Sequence, residues 1–389
     1  MKYLLSIVIP TKNRYKYLKI CLRSLKILDK NKVEIIIQDN SENNQYFYDY
    51  IYNNLQDNFN YYYNKQILSQ TENSNLAVLH ANGEYICYIG DDDSVTNQII
   101  EITEWLQMHR IEAASFNCAS YAWPDLKFRI FKFPDLIVYD RNTINNHFQI
   151  IDALISLNEA LKNGGVFKLL PCVYHGIVKK STLDIIFLKC GSYFPGASPD
   201  MANATALSLV TKSYVYINLP IIISGTCYNS AGGMGARGQH KALLKNVKQL
   251  PQGIEENWIS EIPKIWTGET IWAHSCIESI INMKANAILS YFNYAKLYAR
   301  IFVMHPDLYI YIKPCIIQKK ILFNTVIYIM QIFIARIIRF ISNFFLIKLK
   351  ISKHHVYNNV CNVHMAANVV SNYIDENNLL DFIKEDTNV

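Results

Sequence analysis

Residues Tyr85 to Val95 read Tyr-Ile-Cys-Tyr-Ile-Gly-Asp-Asp-Asp-Ser-Val, a β-prone apolar run that drives into three consecutive carboxylates. Like charges side by side repel, so a fold tolerates them most readily when a cation neutralises them, and hard oxygen ligands suit Mg²⁺ or Mn²⁺. A cation held there could clamp a diphosphate. The triplet also suits a solvated turn in which one Asp caps a helix beginning near Val95. Two more carboxylates end or begin regular segments. Asp39 closes Ile35-Ile-Ile-Gln-Asp, and Asp200 opens a helical stretch from Met201 to Leu209, where it would sit at a positive helix N-terminus.

The segments that must position these groups alternate. Leu4 to Pro10 is a near-continuous apolar run of the kind expected for a parallel strand buried on both faces, and a helix-like stretch follows from Tyr15 to Leu28. Val33 to Gln38 is a second such run, ending at Asp39-Asn40-Ser41. Strand, helix and strand, with polar residues at each strand's carboxyl end, open an α/β sheet whose ligand crevice lies at those ends. A segment at Tyr61 to Tyr63, a helix from about Asn75 to Asn82 and a strand from Tyr85 to Ile89 continue the alternation, placing the Asp triplet on the same edge as Asp39. Beyond it the pattern predicts strands over Ala113 to Val138, a helix over Phe148 to Asn163, a strand over Cys172 to Val178, a helix from Ser181 and a strand over Tyr214 to Ile223. The stretch Gly225 to Gly238 holds five of the fourteen glycines, the composition of a mobile loop or lid. Helices carrying Trp258, Trp266 and Trp272 are expected next.

With 389 residues the chain has room for two or more domains, and with 51% hydrophobic and 18% charged residues it is globular but unusually apolar. Nine cysteines without a CxxC spacing argue against a disulfide framework and structural zinc, and predict reduced, buried, cytoplasmic thiols. Met1 to Pro10 lacks a small-residue cleavage site and reads as the first strand, not a signal peptide. The net charge of +6 is uneven. Between Asp307 and Asp375 there is no acidic residue, while Lys313, Lys319, Lys320, Arg336, Arg339, Lys348, Lys350 and Lys353 fall in that interval. Basic and apolar character coincide there, which points to an anionic membrane surface rather than nucleic acid. Projected at about 100° per residue, Ile321 to Lys350 gathers Asn324, Thr325, Tyr328, Gln331, Arg336, Arg339, Ser342 and Asn343 into one polar sector. Its longest uncharged run, Ile321 to Ala335, is shorter than the roughly 20 apolar residues a span requires, so a helix lying in the interface fits better than one crossing it. A core helix packed on the catalytic domain has the same periodicity.

Ordered along the chain, Ser6-Ile-Val-Ile-Pro-Thr-Lys-Asn-Arg14, Ile35-Ile-Ile-Gln-Asp39-Asn-Ser, Ala81-Asn-Gly-Glu-Tyr85, Gly90-Asp-Asp-Asp93 and Ser198-Pro-Asp200 together resemble the family 2 glycosyltransferases of the GT-A fold. The resemblance covers roughly residues 4 to 240. It implies an α/β fold with a GT-A type open mixed sheet flanked by helices, a Rossmann-like nucleotide-binding half, and then a mainly helical C-terminal region. Residues 1–240 would form the catalytic domain, with the nucleotide-sugar half about 1–95 and the acceptor half about 96–240. Residues 241–389 would form the helical region, with the membrane-associating helix about 319–350.

The resemblance places Pro10, Thr11 and Arg14 against the donor nucleotide and Asp39 on its nucleobase or ribose. Asn75 matches a nucleotide-contacting helix, although Ser74 and Ala77 stand where the family has Arg and Gly. The family's DxD motif fits the triplet in two registers: Gly90 in the first position with Asp92 as the metal ligand, or Asp91 paired with Asp93. Asp92 is the favoured principal ligand, with Asp91 and Asp93 towards the ribose and the metal. Mn²⁺ or Mg²⁺ would bridge the diphosphate of a nucleotide-sugar, a UDP-sugar being the commonest donor in the family. Asp200 matches the base of an inverting single displacement, with Pro199 replacing the usual Glu. Arg237 would reach the diphosphate from the glycine-rich loop and His240 would be an additional metal ligand. The acceptor implied is a glycan or a polyprenyl-diphosphate-linked glycan in bacterial surface polysaccharide assembly, such as lipopolysaccharide or capsule, at the cytoplasmic membrane face. The alternative is an inactive GT-A scaffold bound to membrane, to which Gly90, Ser74 and Pro199 lend weight. A dinucleotide-binding dehydrogenase is excluded because the turn Pro10 to Arg14 has no glycine for close pyrophosphate approach, and a sugar nucleotidyltransferase because its glycine-rich opening loop is absent.

Overall fold

The chain is described by a computed structural model over residues 3–54, 56–126, 135–139, 148–348 and 354–384. In chain order the elements are β1 (Tyr3–Thr11), α1 (Tyr15–Leu25), β2 (Val33–Asp39), α2 (Gln45–Asn54), β3 (Phe59–Tyr63), α3 (Gln70–Leu79), β4 (Gly83–Tyr88), β5 (Ser94–Val95), α4 (Ile99–Met108), β6 (Ala113–Phe116), β7 (Ala119–Ala122) and β8 (Leu136–Tyr139). They continue with β9 (Phe148–Ile150), α5 (Ala153–Lys162), β10 (Gly176–Lys179), α6 (Lys180–Cys190), α7 (Pro199–Ser208), β11 (Tyr214–Ile217), β12 (Ile222–Thr226) and α8 (Ala231–Ala236). Last come β13 (Ala242–Leu243), β14 (Ile265–Trp266), α9 (Gly268–Asn282), α10 (Tyr294–Met304), α11 (Tyr309–Lys319), α12 (Leu322–Lys348), β15 (His354–Tyr357), α13 (Val363–Glu376) and α14 (Asp381–Lys384).

A run with apolar side chains at successive positions must bury two faces, and β1 does so between parallel neighbours. It pairs with β2 on one side and β4 on the other, in registers that set Thr11 beside Asp39 and Val8 beside Tyr88. The main sheet has the order β3-β2-β1-β4-β10-β6-β11-β9, with β10 antiparallel to both β4 and β6. A second sheet, β15-β8-β7-β12-β5, stands beside the carboxyl edge of the first. The expected open mixed sheet flanked by helices is therefore the fold.

Several expected boundaries move for local reasons. The triplet is followed by β5, and α4 begins only at Ile99, so no Asp of the triplet caps a helix. Helix α3 begins at Gln70, five residues before the expected start, because Ser69 and Glu72 close a reciprocal capping box. Phe148–Ile150 is a strand ahead of α5. The run expected to be one strand from Tyr214 to Ile223 splits at Leu219-Pro220, where proline removes a ladder donor, and its two halves enter different sheets. Of the three tryptophans, only Trp272 lies on a helix. Trp266 is in β14, and Trp258 is in a loop where it stacks on His274. The strand pattern expected between Ala122 and Val138 falls partly on residues 127–134, outside the described residues.

Residue 240 is not a break in packing. Leu157, Leu161 and Met201 share a core with Trp258, Ile277, Leu297 and Ile316, so α5 and α7 pack on α9, α10 and α11. The chain's end returns to the first core instead of staying with the helical region: Val363, Val370 and Ile374 of α13 pack with Leu18, Leu22 and Val95. The nine cysteines are unpaired; six are buried, but Cys118 and Cys190 are half-buried and Cys361 is exposed.

Candidate active site

A cleft of about 940 Å³ runs along the carboxyl edge of the main sheet. It brings together Pro10, Thr11, Arg14, Asp91, Asp92, Asp200 and His240 among the residues expected at the site, and leaves out Asp39, Asn75, Asp93 and Arg237.

At one end the turn after β4 presents Asp91 and Asp92. Thr11 Oγ1–H donates to Asp91 Oδ2 at 2.6 Å, and Arg14 at the start of α1 spreads its Nη2 between Asp91 Oδ1 at 3.1 Å and Asp92 Oδ1 at 2.8 Å. Burial, offset in part by Arg14 and reinforced by Asp92, pushes the Asp91 carboxyl up to about 7, and burial raises Asp92 as well. One cation is thus too few for two buried carboxylates. Asp92 Oδ2 is buried without a hydrogen-bond donor and Asp91 Oδ1 has only its ion pair with Arg14, and an unsatisfied buried carboxylate oxygen is costly. These two residues have the donor chemistry for Mg²⁺ or Mn²⁺, which is commonly held by one or two carboxylates together with substrate phosphates.

Asp93 is different. Its Oδ2 accepts from His175 Nε2 and from the Gly90 N–H, both at 2.7 Å, and its Oδ1 accepts from the Gly225 N–H at 2.7 Å. With both oxygens engaged and no exposure, Asp93 ties the turn to β12 and lies outside the cleft in which it was expected. Gly90 and Gly225 follow from this packing, since a Cβ at Gly90 would lie 2.9 Å from Asp93 Oδ2 and one at Gly225 only 1.8 Å from the Asp92 carbonyl oxygen. Burial disfavours the His175 cation, but the Asp93 charge and hydrogen bond outweigh it and push its pKa up to about 10. His175 also sits at φ 58°, strained for a non-glycine residue.

A first prediction arises here. His175→Ala leaves Asp93 buried without its counter-ion and is expected to lose about 3–5 kcal/mol of stability. In the wild type the histidine's contribution is fully present below its ordinary pKa near 6.5 and is lost as pH rises towards about 10. Urea unfolding at neutral pH and near pH 10 checks both: the fall in stability on this account should vanish in the variant.

Asp200 stands in the first turn of α7, after Pro199 at a position where the missing N–H costs nothing. Its Oδ1 accepts from Ser198 Oγ–H and, at 2.8 Å, from the Met201 N–H, while Trp272 Nε1–H reaches its Oδ2 at 3.1 Å. Three donors aim one carboxylate into the cleft. Around it, β14, α9 and α10 supply groups that sequence reasoning left without a role: Trp266, Trp272, Glu269 and Arg300. His240 meets Trp266 edge-on at 4.1 Å, and burial holds its pKa below the usual imidazole range. Among the described residues no three His, Cys, Asp or Glu side chains converge as a metal cluster, so His240 does not complete a ligand set with Asp92 and Asp93.

The remaining expected residues have structural partners. Asp39 is fully buried, accepting from Tyr15 Oη–H at 2.6 Å, Tyr61 Oη–H at 2.7 Å and the Ser41 N–H at 2.8 Å; its neighbour Asn40 lines the cleft in its place. Asn75 Oδ1 accepts from the Tyr193 N–H at 2.8 Å, tying α3 to the loop that leads to Asp200. Arg237 lies over the Tyr228 ring at 3.8 Å and donates to Gln239 Oε1 at 2.9 Å. The expected glycine-rich lid is in part helix: Ser230 Oγ caps α8, and a Cβ at Gly233 would lie 2.0 Å from the Cys227 carbonyl oxygen. Lys12, inside the Thr-Lys-Asn-Arg turn, also lines the cleft and donates to Asn40 Oδ1 at 3.1 Å. Its place in that motif was the only sequence signal for it.

Comparison with known proteins finds a family match for the first part of the chain. Residues 6–153 match the family model described as glycosyl transferase family 2. Over this segment the chain is similar to family 2 glycosyltransferases. The segment contains β2 to β4, most of β1, Arg14, Asp39 and the Asp triplet, while Asp200, Trp272 and the helical wall lie beyond the matched residues. No curated protein matches the chain. Among solved structures the chain is similar to S. aureus TarS 1–349 in complex with UDP-GlcNAc, at 14% identity over 59% of this chain and 60% of that one, with a TM-score of 0.44. It is also similar to S. aureus TarS 1–349 in complex with UDP, at 14% identity over 60% and 62% of the two chains with a TM-score of 0.42, and to S. aureus TarS, at 13% identity over 75% and 55% with a TM-score of 0.41. The chain thus spans 55–62% of the length of these structures.

Proposed function

We propose that the protein is an inverting glycosyltransferase that moves a sugar from a nucleotide-sugar, with a UDP-sugar as the first candidate, to a hydroxyl of a glycan or lipid-linked glycan. The observation that carries this reading is one cleft, at the carboxyl edge of a segment similar to family 2 glycosyltransferases, with the Asp91–Asp92–Arg14 group at one end and the oriented Asp200 carboxylate in its wall. The donor's diphosphate lies at the first end, where Arg14 and Lys12 offer positive charge. A divalent cation held by Asp91 and Asp92 would neutralise charge as the nucleoside diphosphate leaves. Asp200 takes the acceptor hydroxyl's proton while that oxygen forms its bond to the anomeric carbon, and the bond from that carbon to the diphosphate oxygen breaks on the opposite face. One displacement inverts the configuration. Glu269, Trp266 and Trp272 suit a hydroxyl-rich acceptor, because a carboxylate accepts from hydroxyls and indole rings offer flat apolar faces. The basic, apolar α12 supports work at the cytoplasmic face of a membrane, where polyprenyl-diphosphate-linked acceptors of surface polysaccharide assembly reside.

Thermal unfolding with UDP, dTDP, GDP and CDP and their sugars, with and without Mn²⁺, tests the donor assignment. A ligand that binds the folded state stabilises it by about 2.7 kcal/mol at roughly a hundred times Kd. A metal-dependent rise with one nucleotide, lost in Asp92→Asn, is the expected result. No rise with any nucleotide, in protein that unfolds cooperatively, would move the reading to the inactive scaffold.

A further inference from the structure

Helix α12 is built inside out for a water-soluble protein. Its first turns, with Ile321 just before them, meet the body chiefly through Ile321, Thr325, Tyr328, Ile329 and Ile332 at helical spacing, Ile327 being half-buried as well, with Thr325 buried and Tyr328 Oη accepting from Asn293 Nδ2 at 3.2 Å. Beyond Ile332 every described side chain to Phe345 is exposed, including Ile338 at 61%, Phe340 at 73% and Phe344 at 57%. The apolar stretch within Leu322–Phe345 has a mean hydropathy of 1.6 and is only 6% buried. A helix with so broad an exposed apolar face belongs against a core or in a bilayer interface, and an exposed patch of this kind marks an interaction surface.

The topology excludes crossing. Before α12, Ile312, Cys315 and Ile316 of α11 are buried in the helical core. After it, β15 pairs with β8, Tyr121 Oη–H donates to the Val360 carbonyl oxygen at 3.0 Å, and Gln98 Nε2–H donates to Asp375 Oδ1 at 2.8 Å. Both ends are pinned to one body. At about 1.5 Å per residue α12 is long enough to span a bilayer, but a span would carry β15 and α13 to the far side from the sheet and helix they complete. Charge selects the occupant. Arg336 and Arg339 emerge among the exposed apolar side chains, Lys348 ends the helix, and no acidic residue lies between Asp307 and Asp375. A second copy packed on this face would bring the same cations against each other, whereas lipid phosphates neutralise them, with the arginine stems lying along the apolar layer.

We infer that α12 is an in-plane anchor embedded in one anionic leaflet, with the apolar side chains from Phe333 to Phe345 among the acyl chains and Arg336 and Arg339 at the phosphates. This rests on the membrane placement proposed above and supplies its topology. Full-length protein is floated with vesicles of phosphatidylcholine alone and of phosphatidylcholine mixed with phosphatidylglycerol. Binding to the anionic vesicles is expected to be on the order of 10²-fold tighter, the scale for about three basic residues at a charged surface. Phe340→Glu with Phe344→Glu is expected to abolish flotation and leave the cooperative unfolding transition in place. On vesicles, a membrane-impermeant maleimide should label the exposed Cys361 as fully as in free protein. Protection of Cys361 would overturn the in-plane arrangement while keeping the membrane placement. Equal binding to both vesicles would overturn the anionic partner. Failure to float, with a dimer in solution that the double variant dissociates, would reassign the face to a second copy; failure to float as a monomer would remove the membrane placement, and nucleotide-induced stabilisation would then still report the donor site separately.

Discussion

Asp200→Asn is expected to lower kcat by about 10²–10⁴-fold, the usual contribution of a positioned general base, while nucleotide binding measured by thermal shift stays at the wild-type level. The substitution keeps the size of the side chain and its place in the first turn of α7, removes its capacity to take a proton, and turns one acceptor oxygen into an NH2, at the cost of one hydrogen bond such as that from Trp272. The separation of effects follows from the cleft, since the Asp200 carboxylate is bonded to Ser198, Met201 and Trp272 and not to Arg14, Asp91 or Asp92. A companion variant tests the aiming of the base. Trp272→Phe keeps an aromatic ring, though a smaller one, and deletes the Nε1–H that reaches Asp200 Oδ2 at 3.1 Å. It should lower kcat about tenfold, the cost of roughly one hydrogen bond, with donor affinity unchanged. If Asp200→Asn turns over normally, the base lies elsewhere.

Asp92→Asn is expected to act at the other end of the cleft, abolishing the nucleotide-induced rise in unfolding temperature and lowering kcat/KM by about 10²–10³-fold, the scale for losing one preorganised charge opposite a developing charge. Chelation of divalent ions should reproduce most of the loss in wild type and change the variant little. Stability should move the other way in Asp91→Asn. The Asp91 carboxyl is pushed up to about 7, so the folded state holds its proton more tightly than the unfolded chain, and stability falls as pH rises from about 4 to 7. An asparagine removes that penalty. Without ligand the variant should therefore unfold at the same or a higher temperature than wild type at pH 8, while its nucleotide response is lost. A site that costs stability until its ligand arrives is expected where charge is gathered for binding.

The donor half was legible because its signals are local. An apolar run bounded by polar residues at its carboxyl end is a buried parallel strand, and the same edge of β1, β2 and β4 follows from strand–helix–strand alternation. Asp91 and Asp92 were placed by that argument, Thr11 and Arg14 by the family resemblance, and all four line one cleft. Asp39 and Asp93 share the edge but not the cleft. Whether a carboxylate at a strand end faces ligand or tyrosine hydroxyls depends on which side chains arrive from other elements, and Tyr15, Tyr61 and His175 come from α1, β3 and the turn before β10. The glycine-rich stretch misled for a related reason. Composition registers conformational freedom, while at Gly225 the requirement is close approach to the Asp92 carbonyl, which a Cβ would block at 1.8 Å.

The tail divides in the same way. Periodicity and charge were enough to mark α12 as a basic, apolar helix, and its length was read to within a few residues. They did not determine which face would meet the body, nor that the chain would re-enter the first core through β15 and α13. The sequence by itself determined the strand–helix alternation of the first half, the sheet's first strands and the chemical character of the cleft, since these are set by neighbours along the chain and by hydrophobic period. The tertiary structure alone decided that Trp272 aims Asp200, that His175 neutralises Asp93, and that both ends of α12 return to one body. Each joins residues far apart in the chain, and such pairings are selected by the packing of whole elements, which no local propensity encodes.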